Sequence, residues 1–240
     1  MGSVLTAIRV AALVMFTGIA ACPAAAVEDG EPMPCTEDAM LVFDASGSMA
    51  GTDRLGVSTP VPVTRIDKLR SALANVLPSA ARYRRIGLIT YGPGPYHQCN
   101  VQLNFAPMAN ATEALMYEVN SLNPAGKTPL VAAVSQAAEV LKFREKPGMI
   151  VVVTDGEETC GGEPCELGKR LHDDAMQLTV HVIGYRVKDF SWTGEQSIGE
   201  VKCLADKNGG LYINAESEQD LIEALEKTLG CPMLSQNTLR

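Results

Sequence analysis

The stretch from Leu41 to Met49 reads Leu-Val-Phe-Asp-Ala-Ser-Gly-Ser-Met, which sets Asp44, Ser46 and Ser48 at alternate positions after an apolar run. Alternate residues of an extended loop point the same way, so one carboxylate and two hydroxyl oxygens can converge on one point. All three are hard donors, suited to Mg²⁺, Mn²⁺ or Ca²⁺ rather than to zinc or copper. The string is short, and its weight depends on further oxygen ligands arriving at the same place. A second carboxylate, Asp155, follows the apolar run Met149 to Thr154 and precedes Gly156.

The elements around these residues place both carboxylates at one edge. Ala39 to Phe43 reads as a buried first strand, and the β-branched runs Met149 to Thr154 and Leu178 to Ile183 read as central parallel strands. Arg85 to Tyr91 is a further strand, closed by the turn Gly92-Pro93-Gly94-Pro95. Val101 to Phe105 alternates as a half-exposed edge strand should, and Leu211 to Ile213 is a short strand. Helical spacing puts Ile66, Leu69, Leu73, Val76 and Leu77 on one face of a helix from Arg65 to Leu77, which Pro78 is expected to end. Further helices are expected over Asn110 to Leu122, Leu130 to Phe143, from near Pro164, and over Ser197 to Lys207. Thr128 is placed as N-cap of the second of these, with Pro129 at its first position. Ser217-Glu-Gln-Asp220 resembles a capping box that opens a last helix to about Leu229. Strands alternating with helices predict an α/β fold, Rossmann-like and doubly wound, with helices on both faces of a mostly parallel sheet. Ligands of such sheets bind beyond the C-terminal strand ends, where the strand order reverses. Asp44 and Asp155 each follow a strand directly.

At 240 residues the chain accommodates one sizeable domain, and its 46% apolar content suffices for a core. The 28 acidic residues outnumber the 20 basic ones, and no basic cluster stands out, which disfavours nucleic acid and anionic lipid as partners. Arg9 and the apolar run Val10 to Ala21, too short for the roughly 20 residues of a membrane span, read as an export signal. Cleavage after Ala24-Ala25-Ala26 gives a signal peptide of residues 1–26. The alternative takes Ile19-Ala20-Ala21-Cys22 as a lipobox, with a signal of residues 1–21, lipidation of Cys22 and hence a membrane anchor. A short leader (27–34), one domain (35–231) and a C-terminal tail (232–240) complete the expected organisation. Either processing route leads to an extracytoplasmic, periplasmic or secreted protein. The cysteines agree: removing or lipidating Cys22 leaves Cys35, Cys99, Cys160, Cys165, Cys203 and Cys231, an even number suited to disulfides. Zinc at Cys160 and Cys165 is disfavoured, because no second pair lies at zinc-site spacing.

Asp44-Ala-Ser46-Gly-Ser48, Gly126-Lys-Thr128-Pro-Leu and Thr154-Asp155-Gly156 together resemble the three-part metal-ion-dependent adhesion site of von Willebrand factor A domains, in the family's order. The resemblance runs from roughly Cys35 to Cys231, and the stretch Asp155 to Cys165 resembles a bacterial exported subgroup. It implies a six-stranded sheet whose strand at Val101 is antiparallel at one edge. It also implies a divalent cation, Mg²⁺ or else Mn²⁺ or Ca²⁺, held by Ser46, Ser48 and Thr128, with Asp44 and Asp155 bonding directly or through water. A carboxylate from a partner protein would then displace one metal-bound water, and the function would be binding without catalysis.

Two other functions compete: an accessory factor for assembly of a periplasmic metalloenzyme or envelope complex, and a metal-dependent hydrolase. Against the hydrolase, no general base, second metal site or G-x-S-x-G elbow is evident. Tyr96, His97, Glu157, Phe190, Trp192 and the loop Ala50 to Thr64 are expected around the metal edge as a partner-binding rim. Glu158 reads with Glu157 as a solvated loop rim, His181 as a hydrogen-bonded core residue and His172 as a solvated one. Cys35 and Cys231 belong at the opposite edge and form the best pair, worth up to about 4–5 kcal/mol in the chain-entropy picture. A local Cys160–Cys165 bridge, leaving Cys99 with Cys203, competes with the pairing Cys99–Cys160 and Cys165–Cys203.

Overall fold

The central strand, β1 (Asp38–Asp44), is buried along its length from Ala39 onward, because it lies between two parallel neighbours with helices on both sides. Its residues divide by parity. Ala39, Leu41 and Phe43 face one apolar layer, and Met40 and Val42 face the other. The computed structural model describes residues 35–52, 62–186 and 194–231, with side chains left out at 194–198. The leader segments with Cys22, most of the loop Ala50 to Thr64, Phe190, Trp192 and the C-terminal tail lie outside the described residues.

A 3-10 turn (Gly47–Ala50) follows β1, then α1 (Arg65–Tyr83), β2 (Ile86–Tyr91), β3 (Val101–Met108), α2 (Thr112–Ser121) and α3 (Leu130–Leu141). The second half runs β4 (Gly148–Thr154), α4 (Pro164–Asp174), β5 (Leu178–Tyr185), α5 (Gly194–Lys207), β6 (Tyr212–Ala215) and α6 (Glu218–Leu229). The sheet order is β3-β2-β1-β4-β5-β6, parallel throughout except for β3, which is antiparallel to β2 at one edge. This is the mixed six-stranded Rossmann-like sheet expected above. Helices α1, α2 and α6 cover one face, and α3, α4 and α5 cover the other. The chain leaves β1 towards β2 and β3, then returns to add β4 on the other side. The strand order therefore reverses between β1 and β4, where Phe43 stands opposite Val153. Among the described residues no helix is long and apolar enough to cross a membrane.

Two helix boundaries differ from expectation. Pro78 does not end α1, which continues to Tyr83. A proline removes one intrahelical bond, to the carbonyl four residues back, here Ala74. Ala74 and Pro78 both face solvent, while Val76, Leu77, Ala80 and Ala81 are buried, so packing of the inner face carries the helix past the gap. Thr128 is not the N-cap of α3. Pro129 holds that position without a side-chain bond, and the helix opens at Leu130. The capping box on α6 is formed as read, with Ser217 and Asp220 bonding reciprocally.

Three disulfides pair the described cysteines: Cys35–Cys231, Cys99–Cys160 and Cys165–Cys203. A local Cys160–Cys165 bridge with Cys99–Cys203 is not formed. Cys165 sits in the first turn of α4, which packs so closely on α5 that a methyl at Gly168 would lie 3.0 Å from Leu204 Cα, and this sets Cys203 alongside. Cys160 precedes α4 on the loop facing the β2–β3 connection, which carries Cys99. Cys35 and Cys231, 5.9 Å apart at Cα, join the start of β1 to the end of α6 at the edge away from Asp44 and Asp155.

Because the gap at Pro78 lies on the solvent side, Pro78→Ala restores the missing bond without disturbing the core. Urea unfolding should show the variant more stable by about 1–3 kcal/mol. A destabilised variant would mean that Pro78 has a packing role that its exposure does not reveal.

Candidate functional site

Parallel register between β1 and β4 aligns Asp44 with Thr154, so that the carboxylate of one strand meets the hydroxyl of the other. Asp44 is fully buried, and its Oδ2 accepts from Thr154 Oγ1 at 2.8 Å. Its Oδ1 accepts from the Ser46 backbone N–H at 2.7 Å, and the loop leaves Ser46 buried and Ser48 exposed. Ser46 Oγ and Ser48 Oγ are 3.0 Å apart, and Ser48 Oγ donates to Asp155 Oδ1 at 2.5 Å. A hydrogen-bonded run of oxygens thus leads from Ser46 through Ser48 to Asp155, and Asp44 is tied to it through the Ser46 backbone N–H.

Thr128 arrives on the loop between α2 and α3. This loop pairs with the β1 loop through a bridge between Ser46 and Gly126, in which Gly47 N–H donates to Gly126 O at 2.9 Å. Thr128 is itself clamped by Thr159: its N–H donates to Thr159 Oγ1 at 2.8 Å, and its carbonyl accepts from Thr159 N–H at 3.0 Å. The Thr128 hydroxyl makes no hydrogen bond to Asp44, Ser46, Ser48 or Asp155, so it belongs to the edge without closing the chain. Glycine is required where the loops touch. A methyl at Gly92, whose φ is +76°, would lie 2.7 Å from the backbone of both Ser46 and Lys127.

Several participants carry little signature in the sequence. Arg65, the first residue of α1, donates from Nη1 to Asp155 Oδ2 at 2.7 Å, and the Asp155 side chain is fully buried by the contact. A cation opening a helix opposes the helix dipole, and that oddity is the one hint its position offers. Thr154 belongs to the Thr154-Asp155-Gly156 motif, but its bond to Asp44 depends on the register of two distant strands. Tyr91 is buried beside Asp44, and its hydroxyl is without a hydrogen-bond partner, as is Arg65 Nε. Glu158 is no solvated rim residue. It accepts from Val131 N–H at 2.8 Å and Cys160 N–H at 2.6 Å, and so caps α3 from a distant loop.

The expected rim is in part described. Tyr96 (72% exposed) and His97 stand on the turn after β2, their rings edge to face at 4.9 Å, and Glu157 is exposed on the loop after Asp155. The Cys99–Cys160 bridge joins those two loops. His181 sits in β5 with Nδ1 accepting from Leu211 N–H at 3.0 Å, and His172 is exposed on α4.

Burial pushes the Asp44 carboxyl up to about 6, and the negative charge of Asp155 adds to the rise, while bonds from Ser46 and Thr154 oppose it. Burial, with the charge of Asp44, also holds the Tyr91 phenol protonated well above its ordinary value. Among the described residues no three His, Cys, Asp or Glu side chains gather as a metal cluster. The donors are instead two carboxylates and neutral hydroxyls, with orphaned polar atoms of Tyr91 and Arg65 at their margin. Such a set fits a hard dication, which favours oxygen ligands and retains waters.

A raised Asp44 gives the sign of a pH effect. The folded protein holds this proton more tightly than the unfolded chain, so the contribution to stability is full below about pH 4 and is lost as pH rises through about 6. In chelator, Asp44→Asn should gain on the parent by about 2–4 kcal/mol between pH 4 and 7, read from urea midpoints at each pH. Parallel pH profiles for the two proteins would contradict this account of Asp44.

Comparison with known proteins follows the same lines. A family model described as von Willebrand factor type A domain matches residues 39–158. The chain is 29% identical over 221 residues to the uncharacterized protein YwmC of Bacillus subtilis (strain 168), covering 87% of this chain and 92% of that protein. Among solved structures, the pilus adhesin SpaC from Lactobacillus rhamnosus GG superposes with a TM-score of 0.61 at 17% identity, covering 82% of this chain and 30% of the adhesin. The vWF domain of the type V pili tip protein Mfa5 from Porphyromonas gingivalis gives 0.58 at 12% identity, covering 87% and 97%. At these identities the structural likenesses speak for the fold alone. The family match, spanning half of the chain and both aspartate-bearing strand ends, places the protein in the von Willebrand factor type A domain family.

Proposed function

We propose that this protein is an exported, non-enzymatic binding module that holds a partner protein through a divalent cation. Ser46, Ser48 and Thr128 would hold the ion, with Asp44 and Asp155 bonding directly or through water; Mg²⁺ is the first choice, with Mn²⁺ and Ca²⁺ as alternatives. The observation that carries this reading is the hydrogen-bonded run Ser46–Ser48–Asp155, with Asp44 tied to it through the Ser46 backbone N–H, at the point where the strand order reverses. When bound, the ion supplies a positive centre that two carboxylates and neutral hydroxyls leave partly uncompensated, and a partner carboxylate can take one of its water positions. Tyr96, His97 and Glu157 would form the described part of the rim, with aromatic rings as anchors. Pairing of Cys35, Cys99, Cys160, Cys165, Cys203 and Cys231 in three disulfides supports an oxidising, extracytoplasmic location. The fold shared with a pilus adhesin and a pilus tip protein is in keeping with an adhesive role.

Thermal unfolding in chelator and in millimolar Mg²⁺, Mn²⁺ or Ca²⁺ tests the cation. Binding to the native state alone must raise the midpoint, by the equivalent of about 2.7 kcal/mol at a hundredfold excess over Kd, and Asp44→Ala should abolish the rise. No rise with any of the three ions would sink the reading. A pull-down from cell-envelope extract, with and without chelator, then tests the partner. The expected partner is lost in chelator and lost with Asp44→Ala, whereas capture indifferent to both would remove the ion from the interface.

A further inference from the structure

The site contains a positive charge of its own. Arg65 enters from the start of α1, where Gly51 O accepts its backbone N–H at 2.9 Å and the Thr64–Asp67 capping box fixes the first turn. Its guanidinium reaches Asp155 through Nη1 alone. Arginine usually grips a carboxylate with two parallel N–H bonds, and these are the strong pairs. Here the second oxygen of Asp155 belongs to Ser48, and Arg65 Nε is left buried and unpartnered. The contact is single, at the margin of the donor chain, with the arginine side chain 22% exposed.

A dication bonded among Ser46, Ser48 and Asp155 would meet this guanidinium as a like charge. Each oxygen of Asp155 already accepts one hydrogen bond, from Ser48 and from Arg65, so a dication bonded to that carboxylate would have to share it with both. Repulsion decides between them: the Ser48 hydroxyl is neutral and can turn its lone pairs to the ion, whereas Arg65 cannot lose its charge.

We propose that Arg65 is the resident counter-cation of the metal-free site and competes with the dication for Asp155. It stabilises the buried Asp155 carboxylate when no ion is bound, and it sets the ion concentration at which the site fills. The proposal rests on the cation reading above, and Arg65 acts as a positioning residue rather than as a ligand.

The test is calorimetric titration of MnCl₂ and MgCl₂ into the parent chain, Arg65→Gln and Arg65→Lys, together with their unfolding midpoints in chelator. Arg65→Gln should bind either ion about 5- to 150-fold more tightly, the range typical of coupled sites, and should melt below the parent when metal-free. Arg65→Lys, which keeps the charge, should stay near the parent affinity. Equal or weaker binding by Arg65→Gln, in a parent that does bind, overturns competition alone. Absence of binding in every variant overturns the cation reading itself, and this inference with it. Should Arg65→Gln fail to fold, the ¹H–¹⁵N resonance of Arg65 Nε in the parent, assigned by its absence in Arg65→Lys, decides the matter. Displacement requires that it move as Mg²⁺ saturates the site, and an unmoved resonance overturns the proposal.

Discussion

Two carboxylates are brought out of water side by side by the register of a parallel sheet, and the rest of this edge answers that fact. β1 and β4 are buried on both faces, so their ends cannot drift apart without undoing the core around Phe43 and Val153. Neighbouring like charges with little water between them repel strongly, and folded domains have little stability to spare. Each neighbour offsets part of this. The Ser46 N–H and the Thr154 hydroxyl bond Asp44, the Ser48 hydroxyl bonds Asp155, and the Arg65 guanidinium supplies the full positive charge. One guanidinium against two carboxylates does not balance, and Asp44 holds its proton more tightly than usual, through burial first and then the charge of Asp155.

Keeping that edge assembled is the task of connections far apart in sequence. Asp155 lies 107 residues from Ser48, and neither is held by its own strand once the strand has ended. The α2–α3 loop contributes backbone bonds through Gly126, whose N–H donates to Gly92 O at 2.7 Å, so three loops meet main chain to main chain. The loop after β4 is fixed in turn by Thr159 on Thr128, by Glu158 on the first turn of α3, and by the Cys99–Cys160 bridge. Rigid loops of this kind present ligands with little ordering left to do on binding.

How much of this could be read from the residues depended on whether the cause was local. The alternation of Asp44, Ser46 and Ser48, the β-branched run before Asp155 and the Ser217–Asp220 box are local patterns, and strands, helices and the shared edge followed from them. Pro78 misled because a local rule, that proline ends a helix, was outweighed by burial of Ala80 and Ala81 on a core no local pattern displays. Thr128 looked like a cap, but the capping group on α3 is Glu158, on another loop. The pairing of Cys165 with Cys203 depends on α4 and α5 packing closely, which cysteine spacing does not encode. Arg65 is the clearest omission, since packing of α1 brings it to Asp155, and the bond of Thr154 to Asp44, set by strand register, was not legible in its motif.

The same accounting separates a cation site from the anion site that strand ends of an α/β sheet often provide. Anions bind there through free N–H groups at the first turn of a helix. In this protein several of those groups are engaged. In α1 the Arg65 N–H goes to Gly51 O, and the Asp67 N–H goes to Thr64 Oγ1. In α3 the Val131 N–H goes to the carboxylate of Glu158, which also brings a compensating negative charge to that dipole. An arriving phosphate or carboxylate would therefore meet capped helices and two buried aspartates, while the guanidinium of Arg65 is already committed to Asp155. A cation meets the reverse: oxygen donors, unneutralised negative charge and neutral hydroxyls free to turn. On the proposed reading, a negative ligand would become acceptable at this edge once a positive ion had entered, so the order of binding, ion before carboxylate, would follow from the electrostatics.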